Sequence, residues 1–217
     1  MFPVDEALRY LGAAGDAGDT RRQAEGMAAL LEARIAPRYV WRVFDAQTVS
    51  DGILLPGADL LLSGSLARRM LAGCRQAALL ICTLGAGFDA MLRTWQARDM
   101  AGAAVLDACG SAWVETGCDR AEAELAARYP ALYLTDRFSP GYGDLPLTLQ
   151  DDFVLLLDGG RRLGVTVTES HLLLPMKTVT AVIGLADTPQ PARIRGCAYC
   201  SLSPACALRK GGTPCAK

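Results

Sequence analysis

"QAALLICTLG", residues 76–85, decides the fold. After Gln76 it runs without a charge to Gly85. It is too short to span a bilayer, which takes about 20 apolar residues. A short apolar run closed by glycine reads as a strand buried on both faces. Upstream, "YVWRVF" (39–44) alternates and is rich in β-formers, so it reads as a second strand. "GILLPGADLLL" (52–62) reads as a strand, a Pro-Gly turn and a short strand, and "SLARRMLAGC" (65–74) as a short helix capped by Ser63 or Ser65. "DEALRYLG" (5–12) supplies one or two helical turns. A longer helix follows within 15–35, with Asp19 or Thr20 as its cap.

Downstream, Phe88 to Tyr129 is helical in pattern, with a break at "RDMAG" that divides it into two helices and with Pro130 as its stop. "DDFVLLLDGGRRLGVTVTES" (151–170) reads as a helix or strand, a Gly-Gly turn and a strand "GVTVT". "HLLLPMKTVTAVIGLA" (171–186) is broken by Pro175 and ends in a β-branched strand. The sum is an α+β domain with a mixed, largely antiparallel sheet and flanking helices over residues 1–188. A small tail rich in Pro, Gly and Cys follows over 189–217.

Composition narrows the function classes. The chain has 217 residues, 51% of them hydrophobic, and a formal net charge of −1 with both signs interspersed. That balance argues against a nucleic-acid binder, which needs a basic face. No apolar run reaches membrane-span length, and "MFPVDEAL" carries acids where a signal peptide carries Lys or Arg, so the expected location is the cytoplasm.

"RFSPGYGDLPL" (137–147) is the unusual loop. Gly141 and Gly143 permit positive φ or close backbone approach, and Pro140 biases Ser139 toward extended geometry. Arg137 offers a planar fork for a carboxylate, and Tyr142 a flat face with a hydroxyl edge. Together they suit a small zwitterionic or purine-bearing ligand; the alternative is a tight turn with a structural arginine.

Arg137-Phe-Ser-Pro-Gly141-Tyr142 matches the Arg-x-x-x-Gly-Tyr motif of the activation domain of vitamin B12-dependent methionine synthase. "CTLGAGFD" (82–89), "LDACGSAWVE" (106–115) and "VTVTESHLLLPMKTVTAVIG" (165–184) resemble neighbouring segments of standalone relatives, so the likeness covers roughly residues 60–185. The resemblance implies an activation-domain fold and S-adenosylmethionine as ligand. By that likeness Arg137 pairs with the ligand carboxylate. Backbone groups of Phe138, Ser139, Pro140 and Gly141 read the adenine edge, and Tyr142 lines the same cleft. Glu115 is the candidate acid near the ammonium or sulfonium; its alternative is a solvated helix acid. The implied role is reductive methylation of cob(II)alamin held by the cobalamin module of a partner methionine synthase or another corrinoid protein. A flavodoxin or ferredoxin is a candidate electron donor. That work is positioning, and no residue of this chain is assigned covalent catalysis.

Other polar residues have plain readings. His171, the single histidine, is structural or faces the corrin. Asp144 orders its loop, Asp151 and Asp152 start a helix, Arg161 and Arg162 sit on a hairpin tip, and Lys177 is a surface lysine or reaches an anionic cofactor edge. Cys74, Cys82, Cys109 and Cys118 read as core thiols. Cys197, Cys200, Cys206 and Cys215 have the spacing C-x2-C-x5-C-x8-C. In a reducing compartment this reads as a four-thiolate site for zinc or a [4Fe–4S] cluster, with free thiols or a redox disulfide as alternatives. Two other functions stay open: an iron–sulfur redox protein serving a corrinoid protein, and a non-catalytic, metal-stapled binding module.

Overall fold

The computed structural model describes residues 2–13, 18–191 and 193–194. In chain order the elements are α1 (Val4–Tyr10), α2 (Asp19–Arg34), β1 (Arg38–Asp45), β2 (Gln47–Val49), β3 (Gly52–Leu55), a 3-10 turn at Pro56–Ala58, and β4 (Leu60–Ser63). Next come α3 (Ser65–Leu71), β5 (Gln76–Thr83), α4 (Ala86–Gln96), α5 (Met100–Arg128) and β6 (Tyr133–Leu134). The remainder is α6 (Leu149–Leu156), α7 (Gly159–Leu163), β7 (Thr166–Val167), β8 (Leu173–Leu174) and β9 (Thr178–Ala186).

The apolar run is β5, and it lies inside a four-stranded sheet of order β1-β5-β9-β6. Its pairings are antiparallel, with Val40 opposite Ile81 on one side and Thr180 opposite Ile81 on the other. Strand periodicity sends Ala78, Leu80 and Cys82 to one core, with α1, α2 and α5. Ala77, Leu79 and Ile81 go to a second core, with α3, α6 and the small β2-β3-β4 sheet. Both faces are covered, which is why the run carries no polar alternation. Cys74, Cys82, Cys109 and Cys118 are buried free thiols, and burial pushes Cys74 up to about 11 and Cys109 up to about 12.

The break between α4 and α5 falls where "RDMAG" places it. Asp99 caps α5, its Oδ1 accepting from the Gly102 N–H at 3.0 Å. Gly110 lies mid-helix in α5, where glycine costs about 1 kcal/mol relative to alanine. A Cβ there would stand 2.2 Å from Cζ of Phe88, so its absence lets α5 close on α4.

Three local readings need correction. Neither Ser63 nor Ser65 caps α3: the position belongs to Gly64, at φ 107°, and the cap comes from Asp144, far along the chain. Its carboxylate accepts from Ser65 N–H at 2.6 Å and Leu66 N–H at 2.9 Å. Likewise Gly18, not Asp19 or Thr20, precedes α2. "GG" at 159–160 opens α7 rather than a turn, and Arg161 pairs with Asp158 on that helix instead of tipping a hairpin. Glycine served there for packing: a Cβ on Gly159 would stand 2.9 Å from Ile81 Cδ1 of the central strand.

The Asp144 cap makes a pH prediction. Hydrogen bonds from Ser65 and Leu66 hold its carboxyl at about 2. The unfolded value is about 3.9, so the cap's contribution is complete above that pH and fades as pH falls toward 2. Thermal melts of wild type and Asp144→Asn are expected to differ at pH 5 and to converge near pH 2. A constant difference across that range would mean that the carboxylate charge is irrelevant to the cap.

Candidate functional site

The loop at 137–147 is fastened at both ends. Phe138 is buried and bridges β9, its N–H donating to Val182 O at 3.1 Å and its C=O accepting from Val182 N–H at 2.7 Å. At the other end Asp144 caps α3. Between them Tyr142 N–H donates to Ser139 O at 3.1 Å and Gly141 N–H to Leu145 O at 2.9 Å. Gly141 and Gly143 take φ of 90° and 55°, the region that favours glycine. Tyr142 projects outward and is 58% exposed. Because Phe138 uses both backbone groups on the sheet and the turn uses Ser139 O and Gly141 N–H, the backbone groups of 138–141 without a backbone partner among the described residues are Ser139 N–H and the carbonyls of Pro140 and Gly141.

Arg137 points back across α5 with its side chain only 9% exposed. Nη2 meets Glu115 Oε2 at 2.5 Å, while Nη1 meets Asp119 Oδ1 at 2.7 Å and Glu122 Oε2 at 2.9 Å. Residues 115, 119 and 122 are spaced four and three apart, so one helix face presents all three acids. Burial alone would lower the guanidinium's proton affinity; attraction to Glu122 and Glu115 outweighs it and raises the value above the ordinary one. The sequence reading joined Arg137 to Glu115 and missed Asp119 and Glu122. Their helical spacing to Glu115 was the available signal.

The polar row continues toward the helix N-terminus through Ser111 and Asp107. Lys177 is no surface lysine: its side chain is 15% exposed, and Nζ donates to Asp107 Oδ2 at 2.9 Å and Ser111 Oγ at 2.8 Å. The turn that carries it is held by Asp89, whose Oδ2 accepts from Met176 N–H at 3.1 Å, while its buried Oδ1 has no hydrogen-bond partner among the described residues. Beside Asp107 and Ser111 lies a groove of about 570 Å³ between α1, α4 and α5, walled by Tyr10, Leu92, Gln96 and Met100. Burial and then the charge of Glu115 raise the Tyr10 phenol above its ordinary value, which places this groove within electrostatic reach of the Arg137 cluster. Asp107 to Glu122 spans about 22 Å of helix at 1.5 Å per residue.

His171 stands at the tip of the β7–β8 hairpin with φ 60°, and its Nδ1 lies 2.6 Å from Asp151 Oδ2 in the first turn of α6. That contact braces hairpin to helix. Cys197, Cys200, Cys206 and Cys215 lie outside the described residues. Among the described residues, no group of three or more His, Cys, Asp or Glu side chains is placed to hold a metal. The last described residue, Ile194, donates its N–H to Asp136 Oδ2 at 3.1 Å, and Asp136 is the chain neighbour of Arg137. No helix among the described residues is long and apolar enough to cross a membrane.

An antiparallel sheet with a long helix across one face, and a fastened Arg-to-Tyr loop at its edge, define an α+β fold. The comparison with solved structures carries the same architecture. The chain is similar to a crystal structure of the MetH reactivation domain bound to AdoHcy, with a TM-score of 0.67 and 16% identity over 97% of this chain and 82% of that one. At that identity the likeness establishes the fold. No protein-family model matches the sequence, and no curated protein does.

Proposed function

We propose that this protein binds S-adenosylmethionine at the Arg137 cluster and presents its methyl group to a cobalamin module of a partner, a methionine synthase or related corrinoid methyltransferase, in the cytoplasm. The observation that carries the reading is Arg137: a buried guanidinium, fastened between the 138–145 loop and the Glu115 face of α5, in a fold shared with a domain solved with AdoHcy. The ligand's carboxylate would take the place of one acid on Arg137, and its ammonium would face Glu115. Ser139, Pro140 and Gly141 offer backbone to the adenine, and Tyr142 walls the cleft. In that reaction a donor would supply one electron to cobalamin held by the partner and S-adenosylmethionine would supply the methyl group to its cobalt, the C–S electron pair staying on sulfur. This chain's part is to orient two large cofactors, which lowers the entropic barrier to their meeting. Calorimetry with S-adenosylmethionine tests the reading: saturable binding of one equivalent is expected, and no heat at millimolar ligand would end it.

For the tail, four thiolates in C-x2-C-x5-C-x8-C spacing suit zinc or a [4Fe–4S] cluster. The Ile194–Asp136 contact supports a position near the ligand site. A cluster there would supply the electron in place of a flavodoxin or ferredoxin. Chain purified without oxygen is expected to carry one metal ion or cluster, lost in Cys197→Ser with Cys200→Ser. Metal content unchanged in that variant would remove the site.

A further inference from the structure

The central sheet has the order β1-β5-β9-β6, so β1 lies at an edge. The alternation of the antiparallel ladder decides which way its backbone faces. Phe138 and Val182 exchange both bonds, which turns the even-numbered residues of β9 away from β5. Carried across β5, the register points the even-numbered residues of β1 inward and Tyr39, Trp41 and Val43 out of the sheet. Ala46 N–H, donating to Arg75 O at 2.8 Å, agrees with that parity. The outward N–H and C=O groups of those three residues have no partner among the described residues. Side chains follow the same alternation. Tyr39, Trp41 and Val43 lie half-buried toward the helix layer, while Arg38 and Arg42 are exposed on the opposite face. About 13 Å of strand separates the two arginines. Arg38 Nη2 donates to Leu163 O at 2.8 Å, and the Arg42 guanidinium sits 4.9 Å from the Phe44 ring centroid. Neither is paired with a carboxylate among the described residues.

We propose that β1 is a docking edge for an extended acidic segment of a partner protein, which joins the sheet as a fifth strand. Main-chain bonds to Tyr39, Trp41 and Val43 hold the segment. Two acids four residues apart on it meet Arg38 and Arg42, and apolar residues on its other face extend the Tyr39-Trp41-Val43 row. Charge decides among the possible occupants. The residues outside the described ones contain one acid, Asp16, and the cysteine-bearing stretch 195–217 contains none, so this chain's own tail cannot neutralise the two arginines. A second copy fares no better. Pairing β1 with itself about a two-fold axis matches odd residues with odd, which brings four guanidiniums onto one face, and like charges across a ladder destabilise it. An acidic strand meets neither objection. Exposed edges are commonly guarded by charge. Here the charge on one face is of one sign, so it repels basic strands and admits acidic ones. β1 lies at the edge opposite β6 and the 137–147 loop, so this surface is independent of the ligand reading.

The probe is a labelled, end-capped peptide, Glu-Val-Thr-Val-Glu-Val-Thr, titrated against the full chain; the control carries Lys for both Glu. Saturable binding of the Glu peptide is expected, with the Lys peptide several-fold weaker and the difference narrowed by salt. N-methylation of the valines, whose amides face β1, should abolish binding, whereas N-methylation of the threonines should not. Hydrogen exchange read by NMR locates the site. The amides of Tyr39, Trp41 and Val43 should exchange fast in the free chain and slow on adding peptide, while Val40 and Arg42, already bonded to β5, stay as they are. Arg42→Glu should narrow the preference for the Glu peptide, and Arg38→Glu with Arg42→Glu should reverse it; thermal melts check that both variants fold. Equal affinity for the two peptides, or no binding at millimolar peptide, overturns the proposal. So does slow exchange at Tyr39, Trp41 and Val43 without peptide: constant with protein concentration, it means that this chain covers its own edge, and rising with concentration, that a second copy does.

Discussion

Arg137→Ala is expected to abolish S-adenosylmethionine binding while the fold survives. The guanidinium is the cation that Glu115, Asp119 and Glu122 share, and truncating one partner of a buried charge pair costs about 2–5 kcal/mol of binding, so the affinity loss is on the order of 10²-fold. Three carboxylates would also be left facing the incoming ligand carboxylate, which adds repulsion to the lost attraction. The fold tolerates the change because Glu115 and Asp119 already reach solvent and can hydrate. Arg137→Lys restores the charge but not the fork, and it cannot satisfy three carboxylates in one plane; partial recovery is expected. Calorimetry reads the binding, and a circular dichroism melt reads the fold. Wild-type affinity in Arg137→Ala would show that the ligand site lies elsewhere.

Gly110→Val is expected to cost substantial stability through overpacking. Cβ at position 110 would meet Phe88 Cζ at 2.2 Å and Cε2 at 2.5 Å, inside any real contact distance. Phe88 is fully buried against the helix layer and has no free rotamer space to take. Either the ring leaves its well or α5 lifts from α4, and overpacking of this kind costs about 1–3 kcal/mol, occasionally more. Phe88→Ala errs the other way, opening a cavity at about 3–5 kcal/mol. Urea midpoints measure both. Adding Phe88→Leu to Gly110→Val should recover part of the loss, because the two residues compete for one space; strict additivity would refute that account. Glu115 lies on the same helix, so a shift of α5 should weaken ligand binding as well.

The sheet was legible because its central strand is apolar on both faces, a pattern that few other elements share at that length. The α4–α5 division was legible in the charged, glycine-containing break, and Asp99 realises it as a cap. The Asp144 cap of α3 was not, because a carboxylate and an N-terminus far apart in sequence leave no periodic mark. Gly159–Gly160 misled for a related reason: paired glycines suggest a turn, but here the first of them admits Ile81 against a helix. Arg137 and Glu115 were singled out by motif and resemblance, and the structure pairs their side chains. Asp119, Glu122 and the Lys177–Asp107–Ser111 link were missed: surface-looking acids on a helix and a lysine beside proline acquire a role only when α5 meets β9.

The central claim is most directly tested by a crystal structure of the chain with S-adenosylmethionine bound. The account predicts the ligand carboxylate within about 3.2 Å of Arg137, hydrogen-bond range, with Asp119 swung away and adenine against the backbone of 139–141. A ligand seated elsewhere, with Arg137 still gripped by Glu115, Asp119 and Glu122, would contradict it.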